Sequence, residues 1–175
     1  MLQNGKKIEK MFIKFKNNGF KTLALFRVRD YYESNKNHEN FSNEISCDFI
    51  GVMNGIFIAI ELKSTSNPIG FNKYKISKNQ HSFLRKTVES NGLSCVFIYF
   101  ENEDVLFYTN YNFFKDFKVP QKLNFEYCSN NFKQINNVST NPTTTWELER
   151  VIKKEVVKLI WNFLNVIFVN CFHTI

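Results

Sequence analysis

The sequence predicts an α/β domain: a mixed sheet flanked by helices, with an additional helix at the C-terminal end. Three observations predict it. Two β-prone runs, residues 46–53 and 56–63, are joined by Asn54-Gly55, and Asn-Gly is the strongest short signal for a two-residue hairpin because both residues tolerate positive φ. Ahead of them, Ile8, Met11, Phe12 and Phe15 follow the i, i+3, i+4, i+7 spacing of a helix with one buried stripe. Behind them, a helical segment opening at Ser77 leads into a strongly β-prone run, residues 93–100. Strands alternating with helices in this way form sheets covered by helices.

Taken in order, residues 5–18 read as the first helix, with Gly19 as its C-terminal cap. Residues 21–28 read as a strand, and 30–45 as a polar connection rich in Asn, Ser and Glu. In the hairpin, Ile56-Phe57-Ile58-Ala59-Ile60 is apolar on both faces, the pattern of a central strand covered on both sides. A loop follows over 64–76. Ser77-Lys78-Asn79-Gln80 has the form of a capping box, and its helix runs to about Glu89, ended by Asn91-Gly92. Residues 93–100 form a strand, 101–104 a turn, and 105–109 a returning strand. Residues 111–144 carry weak periodicity and read as irregular, with one strand near 122–127. A long helix starts at Thr145 and reaches about Asn165; it begins polar and becomes apolar on most sides, as expected of a helix packed on the core or on a second subunit. The whole, 1–175, reads as one domain, with a core over about 5–109 and an extension over 111–175.

The hairpin carries the chemistry. With 54 and 55 as the turn, 53 pairs with 56, Val52 with Phe57 and Ile50 with Ala59, so Asp48 falls opposite Glu61. Facing Cβ atoms sit roughly 4.5–5.5 Å apart, and like charges there are destabilising. A hard divalent cation relieves that repulsion, because it prefers carboxylate oxygens. Lys63 shares the face, since strand side chains alternate with period two. Ser46 shares it too and would lie opposite Lys63. Two acids that hold a metal beside a phosphate, with a lysine to position water or offset charge, are the parts that phosphodiester cleavage needs.

Composition narrows the class. The formal net charge is +7, which favours a polyanionic partner. A hydrophobic content of 43% argues against a disordered chain. The four cysteines form no CxxC or Cys/His cluster, so no zinc site is expected. The apolar tail, residues 156–172, is interrupted by Lys158 and three asparagines and falls short of the roughly 20 apolar residues of a spanning helix. The start of the chain lacks the apolar stretch of a signal peptide, so the expected place is the cytoplasm and no membrane partner is expected. Candidate phosphate contacts are Lys6, Lys7, Arg27, Arg29, Lys73, Lys75 and Lys78.

Asp48 followed by Glu61-Leu62-Lys63, within an α-β-β-β-α-β order, resembles the PD-(D/E)XK nuclease superfamily, and most closely its RecU-type Holliday junction resolvases. Gly5-Lys6-Lys7-Ile8-Glu9 looks like the first-helix motif, Ser46-Cys47-Asp48-Phe49-Ile50-Gly51-Val52 like the first acid strand, and Ala59-Ile60-Glu61-Leu62-Lys63-Ser64-Thr65 like the second. Ile76 followed by Asn79-Gln80 looks like the segment in which a Gln joins the metal shell. Asn79 stands where the family often has His, and 30–45 is short where the family carries a stalk. The resemblance covers about 5–109 and implies a restriction-endonuclease-like sheet. It also implies a Mg²⁺-dependent (or Mn²⁺-dependent) endonuclease that acts on branched DNA as a homodimer. Asp48, Glu61, Lys63, Glu9 and Gln80 would carry catalysis, and Ser46, Asp48, Glu61 and Gln80 the metal, with the Leu62 carbonyl as a further partner. Two other readings compete. One is a repair or restriction-type endonuclease of the same fold cutting duplex DNA; the other is a DNA-binding module without catalysis.

Overall fold

Asn54 and Gly55 both adopt positive φ, 51° and 78°, the mirror-image turn that suits the twist of a two-residue hairpin. A computed structural model describes this turn within residues 5–17, 19–28, 46–67, 70–72, 75–115, 122–140 and 143–172. The turn joins β2 (Phe49–Met53) to β3 (Ile56–Thr65), and the pairs Met53–Ile56, Val52–Phe57 and Ile50–Ala59 follow the register that the turn dictates.

Around the hairpin stand α1 (Gly5–Asn17), β1 (Ala24–Arg27), a two-residue β4 (Phe71–Asn72), α2 (Lys78–Glu89), β5 (Leu93–Phe100) and β6 (Val105–Asn110). Then come α3 (Tyr111–Lys115), β7 (Lys122–Leu123), α4 (Phe125–Asn131), β8 (Lys133–Asn136) and α5 (Thr144–Phe172). Six strands form one sheet in the order β1-β2-β3-β5-β6-β8, while β4 and β7 make a separate two-residue pair. Among the neighbouring strands described, β3 and β5 run parallel and the other pairs antiparallel; the parallel pair is connected by a crossover through α2, whereas β2–β3 and β5–β6 are joined by tight turns that reverse the chain. The expected mixed sheet flanked by helices is the observed architecture, and β3 is the covered central strand.

Alternation along β3 divides the core. Ile58, Ile60 and Leu62 point to the side of α1 and α5, where they meet Ile8, Phe12 and Phe49. Ala59 points to the side of α2, where Leu84, Val96 and Ile98 gather. Phe12 is fully buried and touches Phe49 and Phe97 at ring distances of 5.7 and 5.2 Å. Gly51 is required where it stands: a Cβ there would lie 2.4 Å from the carbonyl oxygen of Ala24 on the paired strand.

Residues 111–144 depart from the irregular reading. The expected strand near 122–127 shrinks to Lys122–Leu123, because Asn124 caps a helix instead: its side-chain oxygen accepts from the Tyr127 N–H at 2.8 Å. β8 then closes the sheet beside β6, and the loop after it is clamped by Asp104, which accepts from the Ser139 hydroxyl and the Tyr99 hydroxyl, each at 2.7 Å. This stretch therefore completes the main sheet rather than hanging from it. The first turns of α5 bury Leu148, Ile152 and Val156, while Trp161 and Phe163 further along are about 60% exposed. Among the described residues, no helix is long and apolar enough to cross a membrane. The connection over 30–45 lies outside the described residues.

Candidate active site

The β2–β3 ladder ends at the pair Phe49–Ile60, with one further backbone bond from the Asp48 N–H to the Ile60 carbonyl at 3.1 Å. Asp48 therefore sits at the mouth of the hairpin, one position beyond β2, across from Glu61. One of its carboxylate oxygens, Oδ2, accepts from the Leu62 N–H at 2.6 Å. Leu62 was expected to offer its carbonyl; its amide is the group that meets the site, and it fixes the Asp48 side chain against β3.

Glu61 is 1% exposed. A buried carboxylate is costly unless it is paired and hydrogen-bonded, and two partners converge on its Oε1. The Lys63 ammonium lies at 2.5 Å, on the same strand face two residues on. The Gln80 amide NH₂ donates from α2 at 2.7 Å. Burial pushes the neighbouring Cys47 thiol up to about 12, and the charges of Glu61 and Asp48 add to that rise.

Gln80 serves two structures at once. Its backbone N–H donates to the Ser77 hydroxyl at 3.2 Å, and its Oε1 accepts from the Ser77 N–H at 2.9 Å, completing the expected capping box. The same oxygen accepts from Lys63 at 3.4 Å. With its oxygen turned to the cap and its NH₂ to Glu61, Gln80 meets a site carboxylate as a donor. Capping and site roles, alternatives on the sequence, are both occupied.

Ser46 lies before β2, whose ladder with β3 stops at Phe49, so no strand register sets it across from Lys63. The chain bends at Cys47 and Asp48, where Cys47 turns into the core on the α2 side and its thiol contacts the Phe49 carbonyl at 3.3 Å. Ser46 instead borders a groove described below. Glu9 lies elsewhere: it pairs with Arg27 at 2.8 Å. Arg27 stands across from Phe49, on the face that α1 covers, so this ion pair occupies the opposite side of the sheet from Glu61 and Lys63. Arg27, expected at phosphate, has its guanidinium on Glu9. Lys75 and Lys78 are exposed beside the start of α2. Lys6 and Lys7 lie in the first turns of α1, but their side chains, like Arg29 and Lys73, are outside the described residues.

The groove runs between α2 and the hairpin, with a volume of about 630 Å³. Ser46 and Asn79, chain neighbours of Asp48 and Gln80, line it together with Ile50, Phe57, Phe83 and Lys86. Sequence reasoning placed Ile50 and Phe57 on this face but missed the α2 residues. The only signal for them was the helical periodicity that brings 79, 82, 83 and 86 to one side. Next to Gln80, His81 is tied to α3: its Nδ1 lies 3.2 Å from the Tyr111 hydroxyl, which donates to the His81 carbonyl at 3.1 Å.

Among the described residues, no group of three or more His, Cys, Asp and Glu could by itself hold a metal ion. The donors present still fit magnesium, which is commonly held by one or two carboxylates, with water and substrate phosphate completing six oxygens. Asp48 and Glu61 supply two hard oxygen donors from adjacent strands.

Comparison with known proteins adds to this geometry. The family model for recombination protein U matches residues 20–145. The match passes beyond residue 109 to include β8, and it begins after α1, which leaves Glu9 outside it. A curated relative, the Holliday junction resolvase RecU of Mycoplasmopsis pulmonis (strain UAB CTIP), is 40% identical over 57 residues, 33% of this chain and 36% of that protein. The matched stretch thus spans about a third of the relative's length. Among solved structures, Hjc of Archaeoglobus fulgidus, a Holliday junction resolvase from an archaeal hyperthermophile, is 12% identical. That match covers 77% of this chain and 98% of the other, with a TM-score of 0.48.

Proposed function

Since the chain belongs to the recombination protein U family, we propose that it is a metal-dependent endonuclease that resolves four-way DNA junctions. The observation that carries this reading is the buried Glu61, held by Lys63 and Gln80 and set across the hairpin mouth from Asp48. A carboxylate so held, with a cation at hand and a second acid opposite, suits phosphoryl chemistry better than structural support.

Asp48 and Glu61 would hold a divalent metal, magnesium or manganese. When bound, that metal supplies Lewis-acid polarisation of phosphate and a lowered pKa for water. The remaining work falls to the chain. The Leu62 amide fixes Asp48, and the Gln80 NH₂ fixes Glu61. The Lys63 ammonium, beside Glu61, would offset charge developing on the cleaved phosphate or orient an attacking water. A preorganised donor of this kind is worth roughly 10²–10³ in rate. Two such sites in a homodimer would cut a junction symmetrically. The basic balance of the chain suits a DNA partner.

The test is cleavage of a labelled four-way junction and of a linear duplex of the same sequence by the purified chain, with Mg²⁺, with Mn²⁺ and with chelator. We expect metal-dependent cutting of the junction, with Asp48→Asn and Glu61→Gln each slower by about 10²–10³, since a lost metal ligand removes several kcal/mol of transition-state stabilisation. Equal cutting of both substrates would leave a nuclease that does not select junctions. No cutting of any DNA would overturn the enzyme reading.

A further inference from the structure

The groove between α2 and the hairpin has no part in the chemistry above. We propose that it holds an unpaired nucleotide of the DNA next to the bond that is cut. The inference rests on the nuclease reading and narrows its substrate.

Position comes first. The groove is lined by close chain neighbours of the site residues: Ser46 lies two residues before Asp48, and Asn79 precedes Gln80. Ile50 is two residues beyond Asp48 in the chain, roughly 7 Å at the rise of a strand, so a nucleotide adjacent to a phosphate at Asp48 and Glu61 comes level with it. Lining is the second ground. Ile50, Phe57 and Phe83 offer apolar and aromatic surface to the face of a base, and aromatic surface of this kind takes any base. Asn79 and Ser46 offer donors and acceptors to its edge, and the exposed Lys86 can reach a backbone phosphate. Size is the third. At about 630 Å³ the slot is within the range of formed ligand pockets, roughly 300–1,000 Å³. Extruding a base is cheapest where it is already unpaired or poorly stacked, as at a branch point. Phe57 is 40% exposed, a large apolar side chain left open on the face that carries the acids.

The experiment places 2-aminopurine, one position at a time, along the cleaved strand of a four-way junction and reads its fluorescence on binding the full chain carrying Asp48→Asn. A change confined to one or two positions beside the scissile phosphate, with none in the arms, is the expected result. Phe57→Ala and, separately, Ser82→Trp, whose indole would fill the slot, should abolish it. In the otherwise wild-type chain each should slow junction cleavage by roughly five- to a hundredfold, the range for one stacked base. Binding without a change at any position overturns the inference while leaving junction cleavage by the wild type intact. So does a change that survives Ser82→Trp. If Ser82→Trp instead splits a dimer during sedimentation, the slot is an interface between copies and the inference is overturned. A wild type that cuts no DNA is recognised by the absence of product, and it removes the nuclease reading itself.

Discussion

The two faces of the sheet are built from the same strands and yet are finished differently. On the side of α1 and α5, every strand of the main sheet contributes buried apolar residues, from Leu25 of β1 to Ile135 of β8, and two helices cover them. On the side of α2, that helix covers β3 and β5, Tyr111 of α3 and Phe125 and Cys128 of α4 pack over β5 and β6, and the surface of β1 and the hairpin stays open: Phe26, Val52 and Phe57 are 58%, 44% and 40% exposed. Glu61, Lys63 and Asp48 lie at the border between the covered and the open half. A site needs both conditions. The covered half excludes water from Glu61 so that its partners count, and the open half lets a substrate approach.

If the closed face is structural alone, Phe12→Ala should cost about 3–5 kcal/mol, the usual loss for a buried aromatic, measured by denaturant unfolding. Cleavage per folded molecule should not change. A drop in activity at constant folded fraction would break the division of labour between the faces.

The clamp on α5 tests the same face by pH. Glu149 accepts from the Thr22 N–H at 2.6 Å and the Thr22 hydroxyl at 2.8 Å. Burial works against its ionisation, but these bonds and those from neighbouring backbone outweigh it and hold the carboxyl below its ordinary value of 4.5. A depressed folded-state value means stabilisation that is full above the unfolded value and is lost as pH falls through the folded one. Glu149→Gln should therefore destabilise by about 1.5–3 kcal/mol near neutral pH, and the gap from wild type should close in acid. A gap independent of pH would sink the assignment.

Gln80 separates cap from site. Gln80→Glu keeps the capping box, which accepts Glu at that position, but sets a carboxylate against Glu61. We expect thermal stability close to wild type and cleavage lower by about 10–100-fold, as for other residues that orient metal ligands. Equal losses in both would mean that the residue only caps α2.

The smallest effect belongs to the open face. Val52→Thr should change stability by no more than about 0.5 kcal/mol, as expected of exposed positions. A large loss would mean that something covers this surface.

The hairpin and its acid pair were legible from residues 46–63 because a two-residue turn leaves one register. The placement of Gln80 was half legible: the capping box is local, but its contact with Glu61 spans 19 residues. Glu9 was placed by motif alone, and its partner Arg27 is long-range, invisible to any pattern along the chain. Residues 111–144 were misread because their elements run from two to seven residues, too short to show a period. One local signal was available there, Asn124 ahead of Phe125-Glu126-Tyr127, a helix cap passed over in favour of a strand.

The Asn54-Gly55 turn also bears on the order of assembly. A two-residue hairpin closes in roughly 1–10 μs, whereas β3 pairs with β5 only after the chain has travelled through α2. Asp48 and Glu61 can therefore come across from each other before Gln80 reaches Glu61. At that stage Lys63, on the same strand, and the apolar pairs of the ladder, from Phe49–Ile60 to Met53–Ile56, offset the repulsion between the two acids. Val52 and Phe57, half exposed in the finished protein, thus also help to hold together the strands that carry its two acids.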